Sequence, residues 1–107
     1  MRKKSFALLL VAVMVGSLLI AAYAMAATKR VGVRQPNRWA TSSVSIKKGD
    51  TVRWNWSGGP PHNVTGRGFK SRTASRLTYS RKFNRSGSYR ITCTVHARTM
   101  RMTVRVR

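Results

Sequence analysis

Past residue 27 the chain is dominated by alternation. Val52, Trp54 and Trp56 alternate with Arg53 and Asn55, the period-two pattern of a strand with one face buried. The same period runs through Val31 and Val33 within Lys29 to Arg34, through Val44 and Ile46, through Tyr89, Ile91 and Cys93, and through Met102, Val104 and Val106. Leu77, Tyr79 and Phe83 share one face of another run, which must either place Arg81 on that face or bulge. Turn-favouring stretches separate these runs: Gln35 to Thr41 around Pro36 and Asn37, Gly49-Asp50, Gly58 to Pro61, Gly66 with Gly68, and Asn84 to Gly87. His62-Asn63-Val64 is a short extended piece after the break at Gly58 to Pro61, and Phe69 to Ser75 is polar, basic and aperiodic. This part of the chain shows no helical period and no internal repeat. The pattern predicts an all-β domain, a small antiparallel β-sandwich of about seven short strands.

The first residues read differently. Arg2, Lys3 and Lys4 precede an apolar run from Phe6 to Ala22, interrupted by Gly16 and Ser17, and Ala24-Met25-Ala26 closes it. This is the layout of an export signal with a small-x-small cleavage site. The expected division is a signal peptide at 1–26, cut after Ala26 with Ala24 as the other candidate, and a single domain at 27–107. The apolar run is long for a signal, so an uncleaved N-terminal anchor over residues 6–27 is the alternative. Either way the domain is expected to be exported, to the periplasm, the cell envelope or the extracellular space.

Composition narrows the chemistry. The chain has 107 residues, 22 of them Lys or Arg against a single acidic residue, Asp50. Setting aside Arg2, Lys3 and Lys4 leaves 19 basic residues and a net charge of +18 on residues 27–107. So small a domain buries only a modest core, and its one cysteine cannot form a disulfide within the chain. An exported, unpaired thiol is open to oxidation unless something holds it; a metal ion would do so and would stiffen the fold. The missing carboxylates exclude paired-acid catalysis, Ser-His-Asp triads and carboxylate-rich calcium or magnesium sites. Asp50 itself reads as a turn residue in Lys47-Lys48-Gly49-Asp50. No enzyme is expected.

The remaining chemistry sits in Cys93-Thr94-Val95-His96-Ala97-Arg98-Thr99-Met100 and in Pro60-Pro61-His62-Asn63-Val64. Cys93 is the only cysteine, and His62 and His96 are the only histidines. One thiolate, two imidazoles and a thioether are the donor set of an electron-transfer copper site. A tight loop after a strand can turn Cys93, His96 and Met100 toward one point. Taken singly, each residue has a plainer reading: the cysteine as a small buried hydrophobe, the histidines as core or solvated, the methionine as packing. Met102 is a rival to Met100, although its alternation with Val104 suits a core strand.

A resemblance joins these pieces. Ile46-x-x-Gly49-Asp50-Thr51-Val52-x-Trp54 is followed by Pro61-His62-Asn63-Val64, then by Phe83-x-x-x-Gly87-x-Tyr89-x-x-x-Cys93, then by Cys93-Thr94-Val95-His96 with Met100, then by Thr103-Val104-x-Val106. In kind and in order they resemble the cupredoxins, the blue copper proteins, and among them the small plastocyanin-like and amicyanin-like members. The resemblance implies a Greek-key β-sandwich with one type 1 copper cycling between Cu(I) and Cu(II). It implies His62, Cys93 and His96 as equatorial ligands and Met100 as the weak axial one. It also implies that Asn63 ties the first ligand loop to Thr94. The chain departs from the family in three ways: the His96-x3-Met100 interval is not the shortest one found there, Arg98 lies in the ligand loop, and the domain is short.

The function expected is that of an exported one-electron carrier. Nothing supplies a second copper or an acid/base partner. The charge directs the domain to an acidic redox protein or to an anionic membrane or cell-wall surface; no nucleic-acid partner is expected, and the protein reads as a monomer. Two alternatives remain open on the sequence alone. One is a copper-binding or delivery protein of the envelope without electron transfer. The other is a metal-free cationic binding module.

Overall fold

The structure, a computed structural model, describes residues 25–107. Nearly all of the expected signal segment, residues 1–24, lies outside the described residues, and so does all but the last three residues of the 6–27 stretch that would form an anchor. Among the described residues there are ten strands and one 3-10 turn. The strands are β1 (Thr28–Val31), β2 (Val33–Arg34), β3 (Arg38–Trp39), β4 (Ser43–Ile46), β5 (Thr51–His62), β6 (Thr65–Gly66), β7 (Phe69–Lys70), β8 (Ala74–Lys82), β9 (Gly87–Thr92) and β10 (Arg101–Val106), with the turn η1 at Thr94–His96. No helix among these residues is long and apolar enough to cross a membrane.

Two sheets pack face to face as a Greek-key sandwich. One has the order β1-β5-β8, the other β4-β10-β9-β6-β7, and β2-β3 form a small separate hairpin. The inward residues are the alternating ones read from the pattern. Val31, Val52 and Trp54 from the first sheet meet Ile91, Met102, Val104 and Val106 from the second, all buried. Trp54 reaches across the gap, and its indole N–H donates to Met102 Sδ at 3.3 Å. This occupies the Met102 sulfur inside the core.

The fold departs from the expected antiparallel sandwich in two pairings. β1 runs parallel to β5, and β4 runs parallel to β10. Each is an edge strand whose sequence neighbour belongs to a different sheet, so it meets its own sheet only after the chain has crossed over. More strands are present than expected because several are only two residues long, too short to show a period.

Three local readings are corrected. Gly58 to Pro61 does not end its strand. Pairing steps from Ser57↔Arg76 to His62↔Ala74, so the four residues between lie opposite Ser75 alone. This is an extended bulge, allowed by positive φ at Gly58 (94°) and Gly59 (83°). The aperiodic Phe69 to Ser75 segment does build structure: Phe69 packs on the core, and Ser71 is buried. Trp39, inside the expected turn Gln35 to Thr41, is buried 6.0 Å from Trp56. The β2-β3 hairpin puts it there, and alternation is not visible in so short a piece.

Two side chains outside the apolar pattern complete the frame. Arg81 does share the face of Leu77 and Tyr79, and its guanidinium lies over the Phe69 ring at 4.8 Å, where cation–π attraction replaces an ion pair. Asp50 is buried, accepting the Lys47 amide at 3.0 Å and the Ala27 amide at 2.9 Å. Those two hydrogen bonds, the Ala27 one first, hold its carboxyl below the ordinary carboxylate range.

Phe69 owes its position to Gly66, since any Cβ at residue 66 would overlap the Phe69 ring. Gly66→Ala is therefore expected to destabilise the domain by about 1–3 kcal/mol, read as a lower denaturant midpoint at unchanged slope. A midpoint equal to wild type would show that the ring can yield.

Candidate metal centre

The site assembles at one end of the sandwich from two segments. The first is the end of β5. Its bulge leaves residues 57–61 exposed and turns His62 fully inward, where its ring meets Trp56 edge-on at 5.8 Å. The expectation that His62 begins a separate extended piece after a break at Gly58 to Pro61 is thus corrected: it is the last residue of the Trp54/Trp56 strand. The second segment is the loop from Cys93 to Met100 between β9 and β10. Cys93 continues the inward row of Ile91 and is buried.

The loop is closed by its own backbone. Cys93 N–H donates to Met100 O at 3.0 Å, His96 N–H to Cys93 O at 3.2 Å, and Met100 N–H to His96 O at 2.9 Å. Residues 93, 96 and 100 are therefore bonded to one another through the main chain as well as near one another in sequence. Met100 is fully buried and His96 is half-buried, while Val95 between Cys93 and His96 is 48% exposed.

Three donor atoms converge. His62 Nδ1 lies 3.2 Å from His96 Nδ1, and Cys93 Sγ lies 4.0 Å from the former and 3.8 Å from the latter. A triangle with these sides has a point about 2.1 Å from all three corners, within the bond lengths of thiolate and imidazole to a first-row metal ion (about 2.0–2.3 Å). Burial, and then the neighbouring His96, push the His62 imidazole below its ordinary pKa. A neutral ring keeps its lone pair available to a cation.

Asn63, the residue after His62, is 1% exposed and fixes the two segments to each other. Its Oδ1 accepts the Thr94 amide at 3.1 Å and the Thr65 hydroxyl at 2.9 Å. Its Nδ2 donates to Thr94 Oγ1 at 2.8 Å and to Thr73 Oγ1 at 3.0 Å. Four bonds account for all the hydrogen-bonding capacity such an amide usually uses. Two of them go to the residue that follows Cys93. Ser71 adds a further tie, its hydroxyl accepting the Val64 amide at 2.8 Å. Thr65, Thr73 and Ser71 were not singled out from the sequence. They sit in or beside the aperiodic stretch, where no spacing marks them.

The family model for copper binding proteins of the plastocyanin/azurin family matches residues 34–107. The chain belongs to this family. Among solved structures, this cupredoxin is similar to amicyanin from Paracoccus versutus (Thiobacillus versutus), with 33% identity and a TM-score of 0.62 over 81% of this chain and 88% of that one. It is also similar to a reduced Cu(I) form of an amicyanin variant, with 28% identity and a TM-score of 0.66 over 81% and 89% of the two chains. A purple cupredoxin from Nitrosopumilus maritimus shares the fold at 19% identity, with a TM-score of 0.64 over 74% of this chain and 99% of the other. No curated protein matches the chain in sequence. The cofactor of this cupredoxin is copper, and the cluster of His62, Cys93 and His96, with Met100 in the same loop, fits a type 1 site.

The Asn63 network gives a direct expectation. Asn63→Ala removes all four bonds and frees the Cys93 loop from β5, so copper affinity should fall about 10–100-fold in competition with a chelator. Thr73→Val, which removes one bond away from the Cys93 loop, should change affinity much less. Equal affinity for wild type and Asn63→Ala would mean that the backbone bonds of the loop are sufficient.

Proposed function

We propose that this chain is an exported one-electron carrier in which His62, Cys93 and His96 would hold a single copper ion, with Met100 of the same loop as a weaker fourth donor. The observation that carries the reading is the triangle of Sγ and two Nδ1 atoms, sized for one first-row metal ion. Bound there, copper supplies one-electron chemistry between Cu(I) and Cu(II), tuned by thiolate and thioether donors.

The rest of the work is done by the chain. Packing of Trp56 against His62, together with the backbone bonds inside the Cys93–Met100 loop, keeps the donors from moving between oxidation states. A fixed donor set lowers the reorganisation that electron transfer requires. His96 and the exposed Val95 lie on the outer side of that loop, which makes the His96 ring edge the exit for the electron. Asp50 is the only acidic side chain, and two backbone amides already hold it. No carboxylate stands by to move protons, which supports a carrier over a catalyst.

The partner follows from charge. Residues 27–107 carry 19 basic side chains against Asp50, and every one of the 19 is exposed or half-exposed. Such a field steers the carrier to an acidic redox protein. The alternative of copper delivery needs a site that releases its ion to a second protein. The closed hydrogen bonding around Asn63 favours retention.

One equivalent of Cu(II) should give an intense blue thiolate-to-copper band that is absent in Cys93→Ser. A pale solution from both proteins would return the chain to a basic binding module. With copper bound, the rate of electron exchange with an acidic redox protein should fall about tenfold or more between low and physiological salt. Rates indifferent to salt would remove the electrostatic choice of partner.

A further inference from the structure

The only carboxylate side chain in 107 residues is not at the copper site, and among the described residues it forms no salt bridge with a Lys or Arg. It is buried, 8% exposed, beside the first residue of the domain. Asp50 Oδ1 accepts the backbone N–H of Ala27 at 2.9 Å, and Oδ2 accepts that of Lys47 at 3.0 Å. The other side of residue 27 is held too, since Ala27 O accepts the Thr51 amide at 3.0 Å. β1 begins at the next residue, Thr28, paired with Thr51. Met25, by contrast, is 90% exposed. A main-chain nitrogen is thus fixed against a carboxylate at the point where the sequence places the cut, after Ala24-Met25-Ala26.

We propose that Asp50 is the receptor for a new amino terminus created by hydrolysis of the Ala26–Ala27 bond. This rests on the export reading above. In the cut the amide C–N bond breaks and water is the co-reactant. Its oxygen goes to Ala26 as a carboxylate, and Ala27 keeps the nitrogen as an amine, which is protonated near neutral pH. A signal-type endopeptidase is the catalyst. The hydrogen bond from a neutral amide to Asp50 then becomes a charge-assisted bond between ammonium and carboxylate, shorter in reach and stronger. The geometry also chooses between the two candidate cuts. Cleavage after Ala24 would leave the ammonium on exposed Met25, two residues before the nitrogen that Asp50 holds. Only cleavage after Ala26 puts it on the carboxylate.

This gives the lone acid a purpose in a chain of one sign. Lys47 and Lys29 are the charged side chains that act on Asp50; neither has its side-chain ammonium within ion-pair distance of the carboxylate. The amine gains a partner on folding, so its pKa is raised in the folded state. Its stabilisation is fully present below about 7.7–8.0, the unfolded value, and is lost as pH rises through the higher folded value.

The test starts from the intact mass of the copper-loaded protein recovered after export, which should correspond to a chain beginning at Ala27. Recovery of residues 1–26 still attached, the uncleaved-anchor alternative, would overturn this inference while leaving the copper reading intact. The blue spectrum tests the copper reading separately. The decisive comparison is between the Ala27 chain with a free amine and the same chain acetylated there. Acetylation keeps an N–H for Asp50 and removes only the charge. The free-amine form should unfold with an equilibrium constant about tenfold smaller at pH 7, and the gap should close at pH 10. In Asp50→Asn the gap should be absent at both pH values. Should that variant not fold, the pH dependence of the wild-type pair decides. A chain that begins at Ala27 yet unfolds identically with and without the acetyl group would overturn the proposal while leaving export intact.

Discussion

Two imidazoles and a thiol do not gather of their own accord. His62, Cys93 and His96 place their donor atoms within 4.8 Å of one another, although His62 and Cys93 are 31 residues apart in sequence. Desolvating such groups without a cation costs free energy. Something else must hold them, and the amide of Asn63 does so by bonding Thr94 twice and Thr65 and Thr73 once each. The bulge in β5 serves the same constraint from the other side. It takes up four residues so that His62 re-enters the ladder opposite Ala74, facing inward. The placing of these donor atoms is a property of the polypeptide itself.

Much of this could be read from residue types alone, and the reason is physical. Alternation is a direct record of which face is buried, so the inward rows of β5, β9 and β10 were legible residue by residue. The cluster of His62, Cys93 and His96 was legible because they are the only histidines and the only cysteine in the chain. What escaped notice lacked periodicity. Trp39 and Phe69 enter the core from strands of two residues, a single period with no repeat to recognise. The bulge at Gly58 to Pro61 carries the residue types of a turn, and backbone hydrogen bonding decides that the strand survives it. The parallel placement of β1 and β4 depends on long-range pairing, which local pattern does not encode.

The charge distribution sets the stability problem. With a single acid, this surface cannot neutralise itself by ion pairs, and the basic side chains of residues 27–107 are all exposed or half-exposed. Arg67 and Arg81 instead cover the Tyr89 and Phe69 rings. That arrangement uses the long side chains as apolar cover and places their charge against ring faces. It lets an aromatic cluster of Phe69, Tyr79, Phe83 and Tyr89 form near the surface without a carboxylate.

The position of β10 bears on when the domain can form at all. It is an interior strand of its sheet, flanked by β4 from early in the chain and by β9 just before it, and it is the last strand in chain order. Until it emerges, β4 has no neighbour and Met102, Val104 and Val106 are missing from the core. Closing these long-range pairs is slow compared with local hairpin formation. A chain threaded through a membrane from its N-terminus would stay open until transit is nearly complete. Cys93 and His96 would then meet His62 only on the far side, so the compartment that receives the domain also decides which metal pool it samples first.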